Sequence, residues 1–319
     1  MGIGKNDIAI RVFGLKKYYG DLKAVDGLFL EIRRGEVFGF LGPNGAGKTT
    51  TISMICGLLN PTDGDIFIDG NRVSEAGNKN IRSKVGICPQ NIILWPKLTC
   101  YEQLVFMARM YDILPRVAGL RADELLTRLG LQEKRNKLAI TLSGGMQRRL
   151  NVLMALIHDP EIVIFDEPEA GLDPQSRLLV REFIISTAKD KTVLFTTHNM
   201  DEAERVSTRV AIIDKGKLLK LDTPGGLKKS IGEGDIMELT FKAEDDLKLK
   251  NAIKELEQKG ITILKSEEKM IIKSKNLIEK VYGIYKVLES ANINVSEMNM
   301  RENTLEDVFI HLTGRKLRQ

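Results

Sequence analysis

The sequence predicts an α/β protein in two parts, a large domain over residues 1–230 and a small α+β domain over residues 231–319. Three observations carry this. The apolar run "EVFGFLG" enters a glycine-rich loop, "GPNGAGKTT" from Gly42 to Thr50, and leaves it through the helically spaced "KTTTISMICGLL". Short β-branched runs, "EIVIFD", "TVLFTT" and "VAIID", have the continuous apolar character of strands buried on both faces of a parallel sheet. After the Pro224-Gly225-Gly226 break the rhythm changes, and 319 residues exceed the roughly 250 that one core usually reaches.

Taken in order, "IAIRVF", "LFLEI" and "EVFGFLG" read as strands, the last feeding the loop. "RADELLTRLG" and "GGMQRRLNVLMALI" read as helices, with a helix-rich insert expected between Thr99 and Leu142. The glycines Gly232 and Gly234 mark the boundary near residue 231. Beyond it come a strand "IMELTFKA", a helix "DDLKLKNAIKELEQKG", strands "ITILKS" and "KMIIKS", a helix "NLIEKVYGIYKVLES" and a strand "INVSEMNM". That β-α-β-β-α-β order matches a ferredoxin-like unit. A last helix, "TLEDVFIHLTG", begins near Asn303 or Thr304 and ends at Gly314.

The composition narrows the function. With 43% hydrophobic residues, no apolar run approaches the ~18 needed to cross a bilayer, so membrane work would fall to another chain. The amino-terminal "MGIGKNDIAI" lacks a secretory core, and Asn6 breaks the myristoylation pattern, which places the chain in the cytoplasm. The net charge of +5 is unevenly spread: residues 1–230 hold 33 Lys and Arg against 27 Asp and Glu, residues 231–319 hold 15 against 16, so the excess sits where phosphates would bind. The one short basic run, "RKLR" from Arg315 to Arg318, reads as a solvated end, and nucleic acid is not an expected partner. Cys56, Cys88 and Cys100 show no metal-type spacing and read as packing residues.

Gly42-x-x-x-x-Gly47-Lys48-Thr49 has P-loop spacing, with the strand before it and the helix after it that the chemistry requires. Glycines let backbone N–H groups wrap phosphates, Lys48 reaches the β and γ oxygens, and the Thr49 hydroxyl is a Mg²⁺ ligand. "EIVIFDEP" brings Asp166 and Glu167 out at the carboxyl end of a buried strand, where open α/β sheets bind ligands. Asp166 is assigned to the metal and Glu167 to the attacking water as general base.

Together, Gly42 to Thr50, Gln90, "LSGGMQRR", "IVIFDEP", "GLDP" and His198 in "TTHNMDEAE" resemble the ATP-binding subunit of an ABC transporter, in that family's order over residues 8–230. The resemblance implies ATP and Mg²⁺ as cofactors. It puts Gly42, Asn44, Gly45, Ala46, Gly47, Lys48, Thr49 and Thr50 around the phosphates, with Tyr19 stacking on adenine and Tyr18 as the alternative. Gln90 would touch Mg²⁺ beside Thr49 and Asp166 and relay to the membrane partner. Asp173 and His198 would complete the γ-phosphate site. A second glycine-led helix start, Ser143-Gly144-Gly145, offers a hydroxyl and bare N–H groups to an anion. The resemblance assigns it to the ATP held by another copy, so that a head-to-tail homodimer sandwiches two ATPs. Arg148 and Arg149 read as solvated helix-face charges without a role.

The small domain and the "ENTLEDVFIHLTGR" ending resemble the drug-export branch, the daunorubicin/doxorubicin resistance ATPases, which pair with a separate multi-span permease. The expected location is therefore the inner face of the cell membrane, with Ile92, Ile93, Leu94, Trp95 and Leu98 as the docking patch and residues 231–319 as a dimer brace. The competing readings are an import ATPase and a soluble ABC ATPase acting on nucleic acid or ribosomes; the latter usually carry two cassettes or a long coiled coil, and this chain has neither. Glu169 stands where the family usually has a small hydroxyl residue, adding negative charge near the site while replacing no catalytic group.

Overall fold

A computed structural model describes residues 7–73, 79–231, 235–243, 246–265, 269–274 and 277–314. Met1–Asn6, the Gly232/Gly234 break and the basic end from Arg315 lie outside the described residues. The chain divides between Pro224 and Gly225 into two compact units.

The first unit runs β1 (Ile8–Tyr19), β2 (Leu22–Arg33), β3 (Val37–Leu41), α1 (Lys48–Ile55), β4 (Asp63–Ile68), β5 (Asn71–Arg72), α2 (Lys79–Lys84) and β6 (Val85–Cys88). It continues through α3 (Cys100–Met110), α4 (Pro115–Arg128), α5 (Gly144–Met154), β7 (Ile162–Asp166), α6 (Pro174–Thr187), β8 (Thr192–Thr197), α7 (Met200–Val206), β9 (Arg209–Asp214) and β10 (Lys217–Asp222). α8 (Pro224–Ser230) follows at the division.

Two sheets result. One is antiparallel, in the order β2-β1-β4-β5; the other has the order β10-β9-β3-β8-β7-β6. In the second, the pairs from β9 to β6 are parallel and only β10 runs against its neighbour. Every residue of β3, β7 and β8 is buried, which is why these strands read as unbroken apolar runs rather than alternating ones. The insert is helical as expected. α3 starts on a capping box in which Thr99 and Glu102 satisfy each other's backbone N–H, and α4 starts with Pro115 in its first turn.

The second unit contains β11 (Asp235–Ala243), α9 (Asp246–Gln258), β12 (Thr262–Lys265), β13 (Lys269–Ser274), α10 (Leu277–Ser290), β14 (Ile293–Arg301) and α11 (Leu305–Thr313). Its four strands form one antiparallel sheet in the order β12-β13-β11-β14. Met237, Leu239 and Phe241 alternate inward from β11 and share a core with Leu249, Ala252 and Leu256 of α9 and Ile284, Val287 and Leu288 of α10. Among the described residues no helix is long and apolar enough to cross a membrane.

Candidate active site

The parallel sheet positions the site by its strand order. β3, β8, β7 and β6 are successive neighbours, and register pairs Leu41 with Thr197, Asp166 with Thr196 and Cys88 with Phe165, so four strand ends emerge side by side. The chain leaves them as the Gly42 loop, His198, Glu167 and the Pro89-Gln90 turn. The carboxyl edge of an open α/β sheet is where ligands bind, because loops there converge on the strand ends.

Glu167 is the meeting point. Its buried carboxylate lies 3.5 Å from Lys48 Nζ and 3.2 Å from His198 Nδ1, and it accepts a hydrogen bond from Gln90 Nε2 at 3.4 Å. Its backbone is left-handed, with φ 47°, a conformation that costs a non-glycine residue about 1–3 kcal/mol. Two bonds hold it there: the Glu167 N–H donates to Thr196 Oγ1 (2.9 Å), and its carbonyl accepts from Arg148 Nη2 (2.5 Å). The Thr196 hydroxyl donates in turn to Asp166 Oδ1 at 2.5 Å, which orients the second carboxylate.

Lys48 curls back over its own loop, donating to the carbonyls of Gly42 (2.7 Å) and Pro43 (3.1 Å). Burial pulls its pKa down, while Glu167 and Asp166 pull it up. Gly47 has φ 101°, and a Cβ there would sit 2.4 Å from the Ala24 carbonyl, so only glycine turns the chain into α1 so tightly. The start of α1 has no side-chain cap and no acidic residue in its first turn, which leaves its N–H groups and positive dipole end for an anion. A polyphosphate fits this cradle. Among the described residues no cluster of three His, Cys, Asp or Glu side chains could hold a metal alone. A Mg²⁺ ion here would take a mixed oxygen set with phosphate and water, its usual preference.

Tyr19, at the end of β1, is half-exposed, with Lys17 Nζ 5.3 Å from its ring centroid, whereas Tyr18 is tied by its hydroxyl to Asp26 Oδ1 at 2.6 Å. Ser143 caps α5 through Met146 N (3.3 Å), and a Cβ at Gly144 would meet open space. Asp173 caps α6 through Ser176 N (2.9 Å), and its other oxygen would lie 3.3 Å from a Cβ on Gly145. Asp173 and the α5 start thus form a second group. Ile92 and Ile93 are exposed, Leu94 and Leu98 half-buried; Trp95 is half-buried, edge-on to Phe106 with ring centroids 5.0 Å apart.

One expectation is corrected. Arg148 and Arg149 are not solvated: both are buried, Arg148 at 1% exposure with its donors on the carbonyls of Pro89, Gln90, Asp166, Glu167 and Pro168, and Arg149 donating to the Leu129 carbonyl at 2.8 Å. The available signal was position: Arg148 lies four residues before the buried Val152, on the inward side of α5. At Glu169, burial and then the nearby Glu202 push the carboxyl up to about 8. It lines a cavity of about 170 Å³ with Glu167, Arg177, Phe195 and His198.

Fold and site together define a P-loop nucleotide hydrolase with a helical insert. Residues 25–170 match the ABC transporter family. The chain is 38% identical over 310 residues to a linearmycin resistance ATP-binding protein of Bacillus subtilis, covering 95% of this chain and 98% of that one. It is 36% identical over 309 residues to a daunorubicin resistance ATP-binding protein of Streptomyces coeruleorubidus, covering 97% and 96%. Among solved structures, a dimeric ATP-binding cassette in a post-hydrolysis state, bound to ADP and Pi, superposes with a TM-score of 0.62 at 25% identity, covering 67% of this chain and 98% of that one. The chain belongs to the ABC transporter family, as an ATP-hydrolysing subunit.

Proposed function

We propose that the chain drives an exporter of drugs, lipids or other small amphipathic compounds, hydrolysing ATP at the inner face of the cell membrane for a multi-span permease on a separate chain. The observation that carries the site is the convergence of Lys48, Gln90 and His198 on the buried Glu167 at four neighbouring strand ends. The resistance functions of the relatives support export, because an ATP-driven pump confers resistance by removing the compound.

In this reading Glu167 is the general base, oriented by His198 and Gln90, and Lys48 moves from its loop carbonyls to the β and γ oxygens. The loop from Gly42 to Thr50 wraps the phosphates, Tyr19 stacks on adenine, and Thr49, Gln90 and Asp166 would hold Mg²⁺. When bound, Mg²⁺ would supply positive charge that offsets the charge developing on the transferred phosphoryl group. Ser143, Gly144 and Gly145, with Asp173 beside them, face the ATP of a second copy. The dimeric state of the solved cassette supports that arrangement. The exposed Ile92 and Ile93 border the permease contact. Residues 1–230 are the cassette and residues 231–319 an accessory domain that braces the dimer; the strand order β12-β13-β11-β14 supports its ferredoxin-like reading.

The test is Glu167→Gln. The amide cannot accept the water's proton, so turnover falls by about 10²–10⁴-fold while ATP affinity stays, and size-exclusion chromatography with ATP shows a trapped dimer. A variant that binds ATP yet elutes as a monomer defeats the sandwich.

A further inference from the structure

Arg148 sits on α5 five residues after Ser143, and its guanidinium is buried against backbone alone. Nε donates to the Pro168 carbonyl (3.1 Å), Nη1 to those of Pro89 and Gln90 (both 2.8 Å), and Nη2 to those of Asp166 (2.8 Å) and Glu167 (2.5 Å). A guanidinium has five N–H donors in a rigid planar fork, and here each meets a carbonyl oxygen. The five acceptors belong to two turns, one leaving β6 and one leaving β7, adjacent parallel strands. The fork therefore fixes the spacing between the turn that carries Gln90 and the turn that carries Glu167, whose side chains meet at 3.4 Å. It also grips the carbonyl of Glu167, the residue in the left-handed backbone state.

We propose that Arg148 is a positioning residue for ATP hydrolysis, setting Glu167 and Gln90 in place and tying both to the helix whose start faces the partner's nucleotide. This rests on the reading of Glu167 as the base and of Ser143–Gly145 as the partner-facing turn. Five residues of helix rise only about 7.5 Å, so a shift of α5 as ATP seats on its start is carried by the fork to the same chain's own base. Arg148 on each chain then couples the two sites of the dimer.

Arg148→Lys tests it, because lysine keeps the charge but offers three donors from one point and cannot span both turns. Rates are measured by release of radiolabelled phosphate and counted per titrated ATP site, so unfolded chains do not enter. The expected result is a fall in kcat of about ten-fold or more with ATP affinity kept within about three-fold. In a Glu167→Gln background the same exchange lowers the residual rate by less than about two-fold, because groups acting as a unit are not additive. An equal fall in both backgrounds, an unchanged kcat, or a loss of ATP binding in place of turnover overturns the proposal. If Glu167→Gln alone leaves kcat intact, the base assignment fails first and this inference falls with it.

Discussion

The helices that begin at Lys48 and at Gly144 both have glycine at their starts, Gly47 capping the one and Gly144 opening the other, yet their first turns meet different neighbours. At the start of α1, Lys48 is buried among the Gly42 and Pro43 carbonyls and the Glu167 carboxylate, and Gly47 is pressed against Ala24. At the start of α5, Ser143 and Gly144 are exposed, Gly144 has open space beside it, and the nearest anionic group to Gly145 is the capping Asp173. The first start is completed by its own chain. The second presents the same chemistry outward, which is the arrangement a two-fold dimer uses twice.

The largest effect separating the two should come from Lys48→Ala. It removes a charge-assisted contact worth roughly 1.5–3 kcal/mol, so ATP affinity falls roughly 10- to 150-fold, read by titration of a fluorescent ATP analogue. It also leaves the buried Glu167 with less compensation. An unchanged affinity would break the contrast, since the α1 start would then not be the chain's own phosphate site.

Gly144→Glu should do the reverse. A negative side chain in the first turn of α5 favours the helix by about 0.3–1 kcal/mol, and a Cβ there meets nothing, so thermal stability holds or rises. ATP affinity of the single chain is unchanged, while ATP-dependent dimerisation weakens and turnover falls at least about ten-fold through repulsion of the partner's phosphate. Full turnover with a glutamate at this position would show that the α5 start never meets an anion.

Much of this contrast was legible in sequence because its parts are local. The P-loop needs only nine consecutive residues, and β7 and β8 declare themselves by burial on both faces. What escaped is short or non-local. β6 has four residues, too few for a pattern, and the reading of β1 stops at Phe13, beside the irregular pairing between Val12 and Leu15, although the strand runs on to Tyr19. α6 carries two start signals, an Asp cap and Pro174, but Asp173 was read for phosphate instead. Arg148 finds its acceptors 18 to 59 residues away, a separation that no window reveals. In the second unit the elements from β11 to β14 bury their apolar faces on one core, and their order was readable throughout.

The smallest effect sharpens the contrast by pH. Glu169 shares the cavity beside Glu167 and burial raises its carboxyl toward neutrality, whereas the backbone N–H of Ser176 holds Asp173, beside the α5 start, below the usual carboxylate range. The groups around Glu169 are Glu202, which raises its pKa, and Arg181 and Arg177, which oppose the rise; Arg181 is itself paired with Glu202. With the folded value raised to about 8 and the unfolded one near the ordinary 4.5, the native state holds a proton that the unfolded chain has released. The stabilisation is complete below about 4.5 and is lost as pH rises through 8, with a slope of at most about 1.4 kcal/mol per pH unit. His158, pushed down to about 4 by burial, is neutral in the folded chain over this range; its unfolded form, at the ordinary 6.5, still releases its last protons near pH 7, a small rise in stability that is the same with and without Glu169. Thermal unfolding of the nucleotide-free protein should therefore fall between pH 7 and 8.5, by ~2–4 °C for each kcal/mol lost. Glu169→Gln keeps the shape and removes the proton, and it should flatten that slope. An equal slope in both proteins would mean that Glu169 is ionised at neutral pH and that the charge at this end of the sheet is balanced some other way.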